Sequence, residues 1–161
     1  MEKYIVESIK SIQKQTLQDI EIIAVNDYSS DNSLNILKKL SKKDSRIKII
    51  NNKNNRGLLY TRAMGILNSS GEFLMNLDPD DKLNGKNSLK FLYKIVNLYK
   101  VDFISFAFSY KNENHLKCSI KNKIIKQPLL KQSAFTNNND IIDYVLWNKI
   151  VKREIMIISY F

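Results

Sequence analysis

Cys118 and His115 are the only cysteine and the only histidine in this 161-residue chain. One cysteine excludes an intrachain disulfide, and a lone Cys beside a lone His is no metal-binding pattern. Long apolar runs are missing too: nothing approaches the roughly 20 residues that a membrane-spanning helix needs. The opening "MEKYIVESIKSIQK" places a charge every few residues and has no apolar core, so it does not read as a secretory signal. A reduced, cytoplasmic setting agrees with these absences, with attachment to the inner face of the membrane peripheral at most. No internal repeat is present, and the asparagine run at 137–139 is a lead-in to a helix rather than a low-complexity domain.

Negative charge is scarce as well: 26 Lys and Arg face 16 Asp and Glu, a formal charge of +10. A basic balance of this size invites a nucleic-acid reading. Lysine is spread along the chain beside abundant Asn and Ile, however, with no dense basic block. Compositional bias accounts for that distribution, and no nucleic-acid partner is expected. With 43% hydrophobic and 10% aromatic residues, the chain can bury the core of one globular domain.

Periodicity organises the first hundred residues. Ile5, Ile9 and Ile12 recur at helical spacing over about residues 3–14, and "IEIIAV" (20–25) reads as a strand buried on both faces. The loop "NDYSSDNS" follows, where Ser30 or Asp31 can cap a helix whose inner face carries Leu34, Leu37 and Leu40. "IKII" (47–50) is a short strand, "NNKNNRG" a turn-rich loop, 58–69 a helix and "EFLMNL" (72–77) a third strand. Helix and strand alternate with short connections, which predicts βαβ units and a mostly parallel sheet flanked by helices. Beyond Lys82 the expectations are a helix at 88–100, a strand at 101–110 and a polar, loop-like stretch at 111–140. A helix at 140–155 follows, with a strand near 155–161 as the alternative.

Ligands of such sheets gather at the carboxyl ends of the strands. The two acidic loops, "NDYSSD" and "DPDD", both fall there. Asp78 and Asp80 flank Pro79, which fixes its own φ and turns the chain sharply at the strand end. Crowded carboxylates repel one another, and a hard cation relieves the repulsion. Mg²⁺ takes few protein oxygens and completes its shell with water and phosphates. D-P-D-D is equally a common turn composition, so the residues alone leave both readings open. Asp27 can accept from a nucleobase N–H or close a local turn. Arg62, one turn into the helix after Gly57, can serve a base or a phosphate or pair with a neighbouring carboxylate. Gly57 suits a turn and Gly65 a close helix–sheet contact.

The ordered blocks "QTLQDIEIIAVNDYSSDNS", "NNRGLLYTRAMGILNSSGEFLMNLDPDD" and "LWNKIVKREI" resemble family 2 glycosyltransferases of the GT-A fold. These are inverting nucleotide-sugar enzymes of bacterial surface-polysaccharide synthesis. The resemblance implies a donor site for a nucleoside-diphosphate sugar, UDP-sugars being favoured, and a saccharide or lipid-linked acceptor. It implies Mg²⁺ or Mn²⁺ as cofactor. Asp27 then matches the aspartate that holds the base and Arg62 the arginine of the segment closing over the nucleotide. Asp78 and Asp80 match the D-x-D pair, near the ribose and on the metal, with Asp81 a contact to the sugar or behind the metal.

Two departures accompany the match. Relatives begin with a strand of the "VSVIIPVYN" kind, which would lie between the strands ending near Asp27 and Asp78; the chain as given starts inside the following helix. Relatives also continue into an acidic "ED" segment whose aspartate is the general base, and Asp140 and Asp143 do not match it. The expectation is therefore a single incomplete domain over 1–161, its first strand missing and its base unidentified. Residues 1–110 form the nucleotide-sugar-binding half and 111–161 the start of the acceptor half. The alternative functions are an inactive fragment or a module that binds nucleotide-sugar and metal without turnover, with a basic nucleic-acid-binding domain the remoter one. Unpaired core strands make self-association an expectation as well.

Overall fold

A computed structural model describes residues 1–105 and 149–160 of the chain. The element order is α1 (Glu2–Gln13), β1 (Ile22–Asn26), α2 (Ser33–Ser41), β2 (Ile47–Asn51), α3 (Leu58–Leu67) and β3 (Phe73–Met75). Then come α4 (Ser88–Tyr99), β4 (Phe103–Ser105), β5 (Lys149–Lys152) and α5 (Arg153–Tyr160). The expected alternation holds through α4, with the stated boundaries moved by at most two residues.

Among the described residues the strands form two sheets. β1 and β2 pair in parallel from Ile22 opposite Ile47 to Asn26 opposite Asn51. β5 lies between β3 and β4 and is antiparallel to both, which leaves β3 and β4 parallel to each other. The parallel pair is as expected; the antiparallel centre of the second sheet is not. The sequence pattern predicts a helix through 149–152 and, as the alternative, a strand near 155–161; the structure has the reverse. "KIVK" is too short for its periodicity to decide between helix and strand. Its place between two strands decides, since Ile150 and Val151 are buried on opposite faces of that sheet. The rest of the expected strand at 106–110, the loop at 111–140 and the residues at 140–148 lie outside the described residues.

Three apolar clusters hold these layers. Ile5 and Ile9 of α1 and Leu37 of α2 pack with Ile22 and Ile47. On the second sheet, Phe73, Met75, Ile104 and Ile150 face Leu92 and Val96 of α4. Leu74, Phe103 and Val151 face Ile66 of α3 and Met156 of α5. Alternate residues of one strand thus serve opposite faces, so the second sheet is buried on both sides.

Among the described residues the two sheets share no strand pairing. Glu21, just before β1, ties the two together. It accepts from the backbone N–H of Ser70, from that of Gly71 at 2.9 Å and from Ser70 Oγ at 3.0 Å, all just before β3. Its second oxygen receives Lys48 Nζ of β2 at 2.7 Å. Burial pushes the Glu21 carboxyl up, but the lysine and the two backbone donors outweigh it and bring it down to about 2. A second tie is Gln15, whose side chain is almost fully buried. Its Nε2 donates to Ser11 O (3.0 Å) and Gly85 O (2.7 Å), and its Oε1 accepts the Leu89 N–H at 3.0 Å. That amide fastens the chain after the acidic turn to the end of α1.

Candidate functional site

The carboxyl ends of β1, β2 and β3 carry the polar residues singled out in the sequence. Asp27 directly follows β1. Its carboxylate accepts Asn52 Nδ2 at 2.7 Å (Oδ1), the Arg56 N–H at 2.9 Å (Oδ1) and the Gly57 N–H at 2.8 Å (Oδ2). The Asn52 amide is the main cause that holds this carboxyl below its ordinary range, with the two backbone donors adding to it against desolvation. Its partners lie about 25–30 residues on, so Asp27 closes no local turn. It organises the β2–α3 loop instead. Three donors occupy most of the roughly four acceptor positions of a carboxylate.

That loop needs the anchor. Gly57 has φ +85 and ψ 169, a combination essentially confined to glycine. It delivers the chain into α3, where Thr61 Oγ1 returns to Gly57 O at 2.8 Å and Arg56 lies over the Tyr60 ring at 4.6 Å. Gly65 behaves differently from the expectation: a Cβ there would sit 3.6 Å from Val25 Cγ2, an ordinary contact, so space alone does not demand glycine.

Arg62 stands in the second turn of α3 with 17% of its side chain exposed. Its Nη2 donates to Asp78 Oδ1 at 3.0 Å, across from α3 to the chain beyond β3. Of the alternatives for Arg62, the pairing with a carboxylate is the one seen, and it joins two of the candidate residues. Asp78 opens a four-residue turn with Pro79 in its second position, closed by the Asp81 N–H on Asp78 O at 2.9 Å. Proline at that position and aspartate at the first are what such a turn prefers. Asp80 lies exposed at its tip and Asp81 is half-buried. Burial, followed by the charges of Asp80 and Asp78, raises the Asp81 carboxyl above its ordinary value.

Among the described residues no three carboxylate, imidazole or thiolate groups converge as a ready-made metal cage. The turn supplies hard oxygen donors whose mutual repulsion is visible at Asp81. That set fits a cation that takes one or two protein carboxylates and fills its shell with phosphate oxygens and water. It does not fit a closed structural site.

Sequence reasoning missed Asn52, which reads only as part of a turn-rich run, and the Asn26–Asn51 bridge beside it (Asn26 Nδ2 to Asn51 Oδ1, 2.7 Å). The parallel pairing of β1 with β2 brings those asparagines together, and nothing local signals it.

Comparison with known proteins gives a consistent answer. The model of the family described as glycosyl transferase family 2 matches residues 1–156. The cholesterol galactosyltransferase of Borreliella burgdorferi is 32% identical over 92% of this chain and 44% of that protein. The S. aureus TarS 1-349 structure in complex with UDP-GlcNAc superposes with TM-score 0.73 at 23% identity, covering 98% of this chain and 44% of that one. The mannosyltransferase PcManGT of Pyrobaculum calidifontis, in complex with GDP-Man and Mn²⁺, gives TM-score 0.61 at 16% identity over 66% of this chain and 32% of that one. At these identities the structures establish the fold alone. The chain spans less than half the length of each of the three. Among the described residues no helix is long and apolar enough to cross a membrane.

Proposed function

The chain belongs to glycosyl transferase family 2, and from that premise we propose that its strand-end rim binds the nucleoside diphosphate of a sugar donor, a UDP-sugar before others. The observation that carries this reading is the Arg62–Asp78 pair, which joins the helix after the Asp27-anchored loop to the acidic turn. Asp27 fixes the loop and keeps an acceptor position for a base N–H. Arg62 keeps guanidinium N–H groups beyond the one given to Asp78, and these suit a phosphate oxygen. Asp78 and Asp80 would hold the divalent metal, Mg²⁺ or Mn²⁺. When bound, that ion offsets the charge that develops on a departing diphosphate. Asp81 stands behind this pair or against the sugar.

The reaction class is transfer of the sugar to an acceptor hydroxyl with inversion, a single displacement that requires a base on the acceptor side. The residue that serves as this base is unassigned. A saccharide or lipid-linked acceptor in cell-surface polysaccharide synthesis is the substrate class, with the protein cytoplasmic or peripheral at the inner face of the membrane.

Thermal unfolding with UDP, GDP and ADP, with and without Mn²⁺, on wild type and Asp80→Ala tests the donor site. A nucleotide at a hundredfold excess over its Kd should raise Tm by about 5 °C or more. The rise should require Mn²⁺ and vanish in Asp80→Ala. No metal-dependent shift at millimolar nucleotide refutes the reading.

A further inference from the structure

α4 carries more apolar surface than its packing uses. Leu89, Leu92 and Val96 are its buried residues, and the last two pack on the second sheet. Phe91, Ile95 and Leu98 recur at spacings of four and three, so they line a second face of the same helix. Phe91 is 62% and Leu98 66% exposed, with Ile95 half-buried between them and Tyr99 exposed beside Leu98. Single apolar side chains on a surface are normal, whereas a contiguous row of them marks a face that meets something other than water.

The charges around the row say what it meets. Lys90 and Lys94 each stand one residue before a member of the row, which puts both on one flank of it. Lys86 precedes the helix, and Lys100 ends it in the left-handed conformation, at φ +49. All four lysines are exposed, and none takes part in the ion pairs of the described residues. No Asp or Glu occurs from Leu83 to Val101, so the helix and both its ends carry charge of one sign.

An apolar row edged by lysines matches an anionic lipid surface, where the row enters the boundary between headgroups and acyl chains and the lysines meet phosphates. A second copy docked row to row would set lysine against lysine. A nucleic acid would take the lysines and leave Ile95 and Leu98 in water. We infer that the outward face of α4 docks the protein on an anionic membrane, with Phe91 and Leu98 entering the interface and Lys90 and Lys94 on headgroup phosphates. The start of α4 is fastened to the end of α1: Gln15 bonds Gly85 and Leu89, and Thr16 Oγ1 donates to Asn87 Oδ1 at 2.8 Å. Docking through α4 would therefore hold the acidic turn, a few residues earlier in the chain, near the membrane. This deepens the peripheral placement proposed above and does not require the donor site.

Co-sedimentation of the 161-residue chain with vesicles is the test, using phosphatidylcholine alone and phosphatidylcholine mixed equally with phosphatidylglycerol. Wild type should bind the mixed vesicles and not the neutral ones, and about 0.5 M salt should release it. The pair Lys90→Gln and Lys94→Gln should weaken binding about tenfold, and so should the pair Phe91→Ser and Leu98→Ser. All four side chains are exposed, so both pairs should keep the wild-type Tm and its rise with UDP and Mn²⁺. No binding to the mixed vesicles overturns the inference, as does equal binding to the neutral ones; these arms need no variant. Full binding by the serine pair also overturns it, because charge alone then suffices. So does a wild-type dimer in light scattering that the serine pair dissolves, which would give the row to a second copy. Absence of the UDP response in wild type refutes the donor site without touching vesicle binding, so the two readings fail separately.

Discussion

Replacing Glu21 by alanine should loosen the seam between the two sheets, and its size can be worked from the contacts. The carboxylate accepts two backbone N–H groups and a hydroxyl at the start of β3 and one ammonium from β2. Hydrogen bonds to a charged group contribute about 1.5–3 kcal/mol each at best, less where the donor can turn to water. Ser70 is exposed and Gly71 half-buried, so stranding their N–H groups costs less than full burial would. Titration gives a second bound. A fall from 4.5 to about 2 corresponds to at most about 3 kcal/mol. Lys48 is 57% exposed, so screening by solvent reduces that figure. Both routes lead to about 2 kcal/mol for Glu21→Ala. Glu21→Gln keeps an acceptor for the backbone donors but, like protonation, removes the charge, so it should cost about 1–2 kcal/mol, close to but below Glu21→Ala.

The sign of the pH dependence follows. The folded-state pKa lies below the unfolded one, so the contribution is complete above about pH 4.5 and is lost as pH falls towards 2. Urea unfolding of wild type, Glu21→Ala and Glu21→Gln at several pH values from 7 to 3 is the assay. The gap between wild type and Glu21→Ala should be widest at pH 6–7 and narrow towards pH 3. A loss below about 0.5 kcal/mol at pH 7, or a gap independent of pH, would refute the view that this carboxylate clamps the seam.

Other positions give equally definite expectations. Gly57→Ala meets no atom within 4 Å, so its whole penalty is the backbone at φ +85; about 1–3 kcal/mol should disappear from the urea-derived stability. Gln15→Ala strands the Leu89 N–H and the Gly85 carbonyl, and should cost about 2 kcal/mol or more by the same measurement. Arg62→Ala removes the guanidinium from Asp78 and from the proposed phosphate position. It should weaken UDP about tenfold in calorimetry, while Mn²⁺ alone, tested without nucleotide, binds no more weakly than to wild type.

Much of the rim was legible before the structure. A β-branched run followed by aspartate, and an apolar run followed by D-P-D-D, place acids at strand ends because parallel βαβ units leave those ends open. The Pro79 turn could be read from composition, since proline fixes φ without help from distant residues. The competition for Arg62 could be stated but not resolved, because α3 and the acidic turn meet only after both have packed on the same sheet.

Local pattern by itself thus determined the alternation of α1 to α4, the positions of Asp27, Arg62 and Asp78–Asp81, and the family resemblance. Each depends on residues within one element or one turn. Tertiary structure decided the rest. It made "KIVK" a strand by setting it between β3 and β4, and it spent the Asp27 carboxylate on a loop some thirty residues away. It gave Glu21 and Gln15 their roles as ties between layers. Those outcomes depend on which groups end up without another partner once the chain is compact, and a local pattern carries no record of that.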